Sequence, residues 1–311
     1  AARIFGAESV LYGRSPAWGD LFRQPTHAPS SPSLTQGLFT LALLFPVFFL
    51  TNSGIARMAE WNLQVKLPVA APLTVFVFAG IPMLACWLRG MRVVQACRLF
   101  RPRPLAIIGS VLLGGSLWAF AHEVVVLEES WGFVTLDSRL WERAQQTLDE
   151  LRRLPAWLVV LCIGLIPAVC EELFFRGYLF QALRTQLSGT ASIWASAILF
   201  GLFHLVATDA LSIERLLPST MMGLALGWVA WKTRSTVPGM ILHTCHNSLL
   251  ISVSYYQPQL TAQGWGLEQA QHLPATWLAA AAALSGAGAL CTAFARNSSS
   301  PADREPNTVR P

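Results

Sequence analysis

Apolar residues along the chain come in long blocks, most of them about as long as a membrane-crossing helix. About 20 apolar residues in a helix cross the hydrocarbon layer of a bilayer. The alternating pattern typical of strands is absent from the sequence, so helices must satisfy the buried backbone polar groups. The pattern therefore predicts an all-α fold, a polytopic membrane helix bundle of about eight transmembrane helices. The eight blocks run Leu34–Ser53, Leu67–Leu88, Pro104–Leu127, Ala156–Leu183, Ala191–Ala207, Leu216–Trp231, Val237–Val253 and Ala275–Ala293.

The composition agrees with a membrane protein. Apolar residues make up 53% of the chain, charged residues only 13%, and the mean hydropathy is +0.47. A soluble domain carries about 25% charged residues, so this chain has too few to coat a surface that faces water.

The polar segments divide the chain into three parts. Residues 1–33 form an N-terminal segment that we expect to be cytoplasmic, and its Pro/Ser-rich end from Pro25 to Ser33 is typical of a linker. Residues 34–296 hold the membrane helix bundle, and the polar tail from 297 to 311 is expected to be disordered. Between two blocks, Asp137–Leu154 has the spacing of an amphipathic surface helix. Because the chain begins at Ala1, without a methionine, we expect a fragment or a processed product.

The basic residues predict the orientation of the bundle. With eight spans the two termini share a side, and that side carries fourteen of the 22 Lys and Arg residues against seven on the other. Loops rich in basic residues stay in the cytoplasm, which places both termini inside, in an inner or cell membrane. The net charge of +5 thus reflects membrane topology, and no nucleic-acid partner is indicated.

The fourth block contains charged residues where they are costly. A charge at the centre of a span costs about 2.5–3.5 kcal/mol, which marks such residues as candidates for a functional site. Glu172 and Arg176 are four residues apart and can pair on one helix face. Glu171 then has no partner in its own segment and could accept a proton from water near neutral pH. The alternative is a buried ion pair beside a second glutamate that faces a polar cavity.

Two later blocks contribute polar residues of their own. His204 ends the run Phe200-Gly-Leu-Phe-His, and a lone histidine there could equally be a buried core residue. His243 and Asn247 lie four residues apart, so their donors point to one side, as an oxyanion site requires. They could equally bond neighbouring helices. From the cytoplasmic ends of their blocks, these residues and Glu171 lie roughly 9–20 Å deep, at about 1.5 Å per residue, so one cavity could hold all four.

Together these motifs resemble a known family. Glu-Glu-x-x-x-Arg, Phe-x-x-x-His and His-x-x-x-Asn, in that order, are similar to the signature of the CAAX prenyl endopeptidase and bacteriocin-processing (CPBP) family of intramembrane proteases. The resemblance covers residues 155–253, about a third of the chain. It implies that Glu171 and His204 position and activate a water molecule, and that His243 and Asn247 stabilise the oxyanion. It implies supporting roles for Glu172 and Arg176.

The metal requirement of this candidate site is open at this stage. Glu171, His204 and His243 could ligate Zn²⁺ and leave a fourth position for water. The glutamate and histidine could also activate water alone, and we expect no obligatory cofactor.

Three functions compete. The leading hypothesis is an endopeptidase that cleaves a peptide or protein substrate in or near the lipid bilayer. The alternative is a non-catalytic membrane module that assists an ABC exporter, because Ala1-Ala-Arg-Ile-Phe and Glu8-Ser-Val-Leu-Tyr resemble the cytoplasmic end of an ABC permease. A transporter that uses the polar cluster as a proton relay would be expected to show repeat symmetry, and none is evident.

Overall fold

The computed structural model describes residues 29–58, 61–133, 138–205, 213–265 and 272–295. The protein is all-α: 83% of the residues that the structure describes are helical, and none of them is in a strand. The N-terminal segment up to residue 28 and the tail from residue 296 lie outside the described residues, so the predictions for these two parts remain predictions.

Eleven α-helices follow one another along the described part of the chain. We number them α1 (Leu34–Arg57), α2 (Leu63–Leu88), α3 (Val93–Ala96), α4 (Pro104–Ser130), α5 (Ser138–Leu151), α6 (Ala156–Arg184), α7 (Gly189–Leu205), α8 (Leu216–Thr233), α9 (Val237–Tyr255), α10 (Gln257–Ala262) and α11 (Ala275–Phe294). A single 3₁₀ turn, Ile213–Arg215, precedes α8. The helix α6 carries the two candidate glutamates and packs between α2 and α9.

Within the described residues every apolar block of the sequence is helical, which confirms the predicted membrane helix bundle. Five helices, α1, α2, α4, α6 and α11, are long and apolar enough to cross a membrane by length and composition. The helix α7 has only 17 residues, or roughly 25 Å at about 1.5 Å per residue. The helices α8 and α9 are long enough, with 18 and 19 residues, but are too polar to meet the same criterion. Among the described residues, five of the eight predicted spans therefore meet this criterion of length and composition.

Two of the long helices widen into a π-helical turn just before a proline. In α2 the π turn covers Phe76–Gly80 and Pro82 follows; in α6 it covers Val160–Leu165 and Pro167 follows. A proline inside a helix lacks a donor and its ring collides with the carbonyl four residues earlier. A π turn at that carbonyl relieves the collision without ending the helix.

Small residues bring the helices of the bundle close together. A Cβ atom on Gly223 of α8 would lie 2.8 Å from the Cα atom of Ala197 in α7, and one on Gly114 of α4 would lie 2.5 Å from the carbonyl oxygen of Leu242 in α9. Approaches this close exclude any larger side chain. Both glycines belong to small-residue pairs at helical spacing, the type of packing that is common between membrane helices.

The predicted amphipathic helix is present as α5 and is fastened to the end of α9. Arg152, just beyond α5, donates from Nε to the carbonyl oxygen of Tyr255 at 3.0 Å and from Nη2 to that of Ser254 at 2.9 Å. In return, the Tyr255 hydroxyl donates to the carbonyl oxygen of Leu154 at 2.8 Å. These reciprocal bonds satisfy carbonyl groups that a helix end leaves without partners. They hold the start of α6 beside the end of α9.

Candidate active site

The centre of α6 contains a sealed ion pair. Arg176 Nη1 lies 2.7 Å from Glu172 Oε1, and both side chains have 0% exposure. The second terminal nitrogen of the Arg176 guanidinium, Nη2, donates to the carbonyl oxygen of Gly223 at 3.2 Å. The Arg176 Cζ atom lies 4.3 Å from the centre of the Phe200 ring, within the range of a cation–π contact. The predicted pairing within α6 is therefore present.

His243 of α9 joins this pair from the opposite side. Its Nδ1 atom lies 3.2 Å from Glu172 Oε1, the same oxygen that Arg176 contacts. A carboxylate oxygen accepts, so Nδ1 carries the proton and donates it. Nearby, a Cβ atom on Gly239 would lie 3.0 Å from Glu172 Oε2. The helix α9 thus contacts the Glu172 carboxylate in two ways: His243 donates a hydrogen bond, and Gly239 leaves room for the second oxygen.

Glu171 faces His204 of α7 across a short gap. His204 Nδ1 lies 2.9 Å from the Phe200 carbonyl oxygen, which can only accept, so Nδ1 carries a proton. In the neutral ring Nε2 is then an acceptor, and it lies 3.8 Å from Glu171 Oε2. That distance is too long for a direct hydrogen bond. Two acceptors at this separation can share a donor that lies between them.

The two halves of the cluster differ in access. The side chains of Glu171 and His204 are 12% and 21% exposed, whereas those of Glu172 and Arg176 are fully buried and that of His243 is 4% exposed. Phe200 stands between the halves, with its ring centre 4.3 Å from that of His204 and 5.8 Å from that of His243. The arrangement is an accessible Glu–His pair supported by a buried ionic core.

Asn247 lies one helical turn beyond His243 on α9 and is partly exposed. Within the described part of the chain its side chain has no hydrogen-bond partner. Its amide donors are thus uncommitted, in contrast to His243, whose Nδ1 atom is committed to Glu172.

The described side chains do not form a complete zinc site. Zinc in catalytic sites takes three protein ligands and a water. Among the residues that the structure describes, no three His, Cys, Asp or Glu side chains are placed to share one ion. Glu171 and His204 face each other, but Nδ1 of His243 is directed to Glu172. This geometry does not fit the set Glu171, His204 and His243 around a metal.

Two glycines belong to the site although sequence motifs did not include them. Gly223 supplies the carbonyl that receives Arg176, and Gly239 leaves room for the Glu172 carboxylate. Gly223 lies four residues from Gly227, a spacing that is typical of close helix packing. Nothing in the sequence connected either glycine with the acidic pair, because the contact joins residues far apart along the chain.

Comparison with known proteins finds a family model that matches the stretch holding this cluster. Residues 153–249 match the family model described as Type II CAAX prenyl endopeptidase Rce1-like. The matched stretch contains the whole cluster, from Glu171 on α6 to Asn247 on α9. No curated protein and no solved structure matches the chain. Residues 153–249 are thus similar to the Rce1-like family of type II CAAX prenyl endopeptidases, and the long apolar helices around them are those of an integral membrane protein.

Proposed function

We propose that the protein is an intramembrane endopeptidase in which Glu171 and His204 activate a water molecule. The observation that carries this proposal is the 3.8 Å separation of Glu171 Oε2 and His204 Nε2, on the accessible side of the cluster. A water between them would donate one hydrogen to each, which leaves an oxygen lone pair free to attack a peptide carbonyl. The family match supports a CAAX-type protease in general.

The proton steps follow from the two side chains. Glu171 takes a proton as the water oxygen bonds to the peptide carbonyl carbon, and a tetrahedral oxyanion forms. The same carboxyl group then returns the proton to the departing amine as the C–N bond breaks. The His204 Nδ1–H group stays hydrogen-bonded to the Phe200 carbonyl oxygen, so the Nε2 atom stays directed at the water. General-base catalysis of this kind contributes about 10²–10⁴-fold in rate.

The oxyanion would be held from α9. Asn247 has free amide donors and is the first candidate. His243 donates Nδ1–H to Glu172, so its Nε2 atom can donate only when the ring carries both protons. Glu172 and Arg176 orient His243 and hold α6 against α8, which is a positioning role.

The setting of the reaction is also part of the proposal. The helices of residues 34–296 form one membrane unit with the protease site in 155–253, both termini face the cytoplasm, and the membrane is the inner or cell membrane. The substrate is a membrane-associated peptide or protein. The sequences that resemble an ABC permease lie in residues 1–24, outside the described residues, so the exporter-associated alternative keeps only its sequence basis.

A comparison of new protein N-termini in membranes tests this function without a known substrate. Membranes containing the wild-type chain should accumulate N-termini that are missing from membranes with Glu171→Gln at equal expression. The matched control is Glu150→Gln, the same chemical change at an exposed position on α5. Control membranes should resemble the wild type. Identical sets of N-termini for wild type and Glu171→Gln would refute the proposed protease role of Glu171.

A further inference from the structure

The two ends of the helix bundle differ in charge. Contacts between helix ends define one of them: Gly37 packs on Ala182, Gly189 on Trp231, and the Thr236 hydroxyl donates to the Cys97 carbonyl at 2.7 Å. We call this the basic end. None of its described residues is acidic. It carries eight basic side chains, namely Arg89, Arg92, Arg98, Arg101, Arg103, Arg184, Lys232 and Arg234.

The opposite end is mixed in charge. Every described acidic residue outside the candidate active site lies at this opposite end. These residues are Glu123, Glu128, Glu129, Glu142, Asp149, Glu150 and Glu214. They stand beside basic residues such as Arg57, Arg153 and Arg215. A generally basic protein would not show this contrast, because its excess charge would be shared between both ends.

The segment Arg89–Arg103 at the basic end combines charge with exposed apolar side chains. Arg92, Arg101 and Arg103 are exposed, and Val94 and Phe100 beside them are 53% and 38% exposed. The sequence has no acidic residue between positions 61 and 122. Arginines alternating with apolar side chains suit the boundary between lipid headgroups and acyl chains.

This segment is held firmly rather than free. Besides the Thr236 contact, Ser235 Oγ donates to the Phe100 carbonyl at 2.7 Å and the Thr236 N–H donates to the Arg98 carbonyl at 3.0 Å. Arg98 and Arg234 both adopt left-handed backbone conformations, with φ of 50° and 55°. Glycine would fill such positions with less strain. Arginine at both is consistent with a demand for positive charge at this end.

From this charge pattern we propose that the segment Arg89–Arg103 binds the headgroups of anionic phospholipids. The partner is the phosphate of an anionic lipid such as phosphatidylglycerol in the leaflet at the basic end. Juxtamembrane basic residues attract anionic leaflets in this way, and the attraction falls off with salt. The competing explanation is that these arginines serve only to orient the chain during insertion.

Thermal unfolding of the purified full chain in lipid–detergent micelles separates the two explanations. Because a ligand that binds the folded state raises the melting temperature, phosphatidylglycerol should raise it saturably and phosphatidylcholine should not. The variant Arg92→Gln/Arg101→Gln/Arg103→Gln should need at least about tenfold more phosphatidylglycerol than the wild type for the same rise in melting temperature. The matched control, Arg57→Gln/Arg153→Gln/Arg215→Gln, removes three exposed charges from the other end and should respond like the wild type.

Two further arms keep the result decisive. The variant Arg92→Lys/Arg101→Lys/Arg103→Lys retains the charge and should retain the response, and it replaces the glutamine variant if that one fails to fold. High salt should weaken the effect of phosphatidylglycerol on the wild type. An equal response to both lipids, an equal loss in both glutamine triples, or an effect indifferent to salt would overturn the proposal.

Discussion

Arg176 Nη1 lies 2.7 Å from Glu172 Oε1 in a place where neither side chain has any exposure. The same carboxylate oxygen receives Nδ1 of His243 at 3.2 Å. Two nitrogen donors from two helices thus converge on one carboxylate oxygen. Loss of any one of these three groups leaves the others buried without a full set of partners.

We therefore expect Glu172→Ala and Arg176→Ala to lower both stability and activity. Removing one member of a buried ion pair costs about 3–5 kcal/mol, because the other charge stays buried. Denaturant unfolding in detergent measures the loss, and Glu150→Ala on α5 is the exposed control. Variants of Glu172 and Arg176 as stable as the parent would show that the pair contributes nothing to folding.

The close approach of α7 and α8 gives a second prediction. A Cβ atom on Gly223 would lie 2.8 Å from Ala197 Cα, a backbone atom that cannot move aside alone. Gly223→Ala should destabilise the protein by about 1–3 kcal/mol, as overpacking does. Gly115→Ala is the control, since its Cβ atom would meet nothing within 4 Å, and it should be neutral or stabilising. Equal melting temperatures for the two variants would contradict the packing described here.

Two adjacent tyrosines allow a matched test of the contact between α5 and α9. Tyr255 donates its hydroxyl to the Leu154 carbonyl at 2.8 Å, whereas Tyr256 is 45% exposed. Tyr255→Phe should cost about 0.5–1.5 kcal/mol, the usual net value of one hydrogen bond. Tyr256→Phe should have little effect. Hydrogen exchange of the backbone near Leu154 should quicken only in the first variant, and quickening in both would argue against this contact.

The metal question has a direct test. We expect exhaustive dialysis against a chelator to leave activity unchanged and elemental analysis to find no stoichiometric zinc. Asn247→Ala should raise the barrier by about 2.7–4 kcal/mol through the lost oxyanion donor, without a change in metal content. Zinc lost together with activity, restored with it, and reduced in His243→Ala would establish a metal mechanism. That outcome would leave the protease assignment in place.

Local features of the site could be predicted from the sequence. The pairing of Glu172 with Arg176 follows from their spacing of four on one helix, and the bundle itself follows from the apolar blocks. Both depend on short-range geometry or on composition. The family signature then grouped these residues with His204, His243 and Asn247, although it left their relative positions undetermined.

Contacts between distant segments could not be predicted in the same way. In the sequence, His243 and Asn247 form one pair at helical spacing, and Glu172 and Arg176 form another. In the structure, however, His243 Nδ1 is hydrogen-bonded to Glu172, 71 positions away. The number of spans was also uncertain for a physical reason. The helix α7 is short, and the helices α8 and α9 are too polar to be identified as spans by hydropathy, so packing inside the bundle accounts for their place.

The central claim is that Glu171 and His204 act on one and the same water molecule. Cleavage rates of Glu171→Gln, His204→Gln and the double variant, each at equal folded concentration, test it most directly. Each single change should reduce kcat/KM by about 10²–10⁴-fold, the contribution of a general base. Because residues that act as a unit are not additive, the double variant should be little worse than the poorer single variant. Losses that multiply, or a single variant close to the wild type, would contradict a shared water.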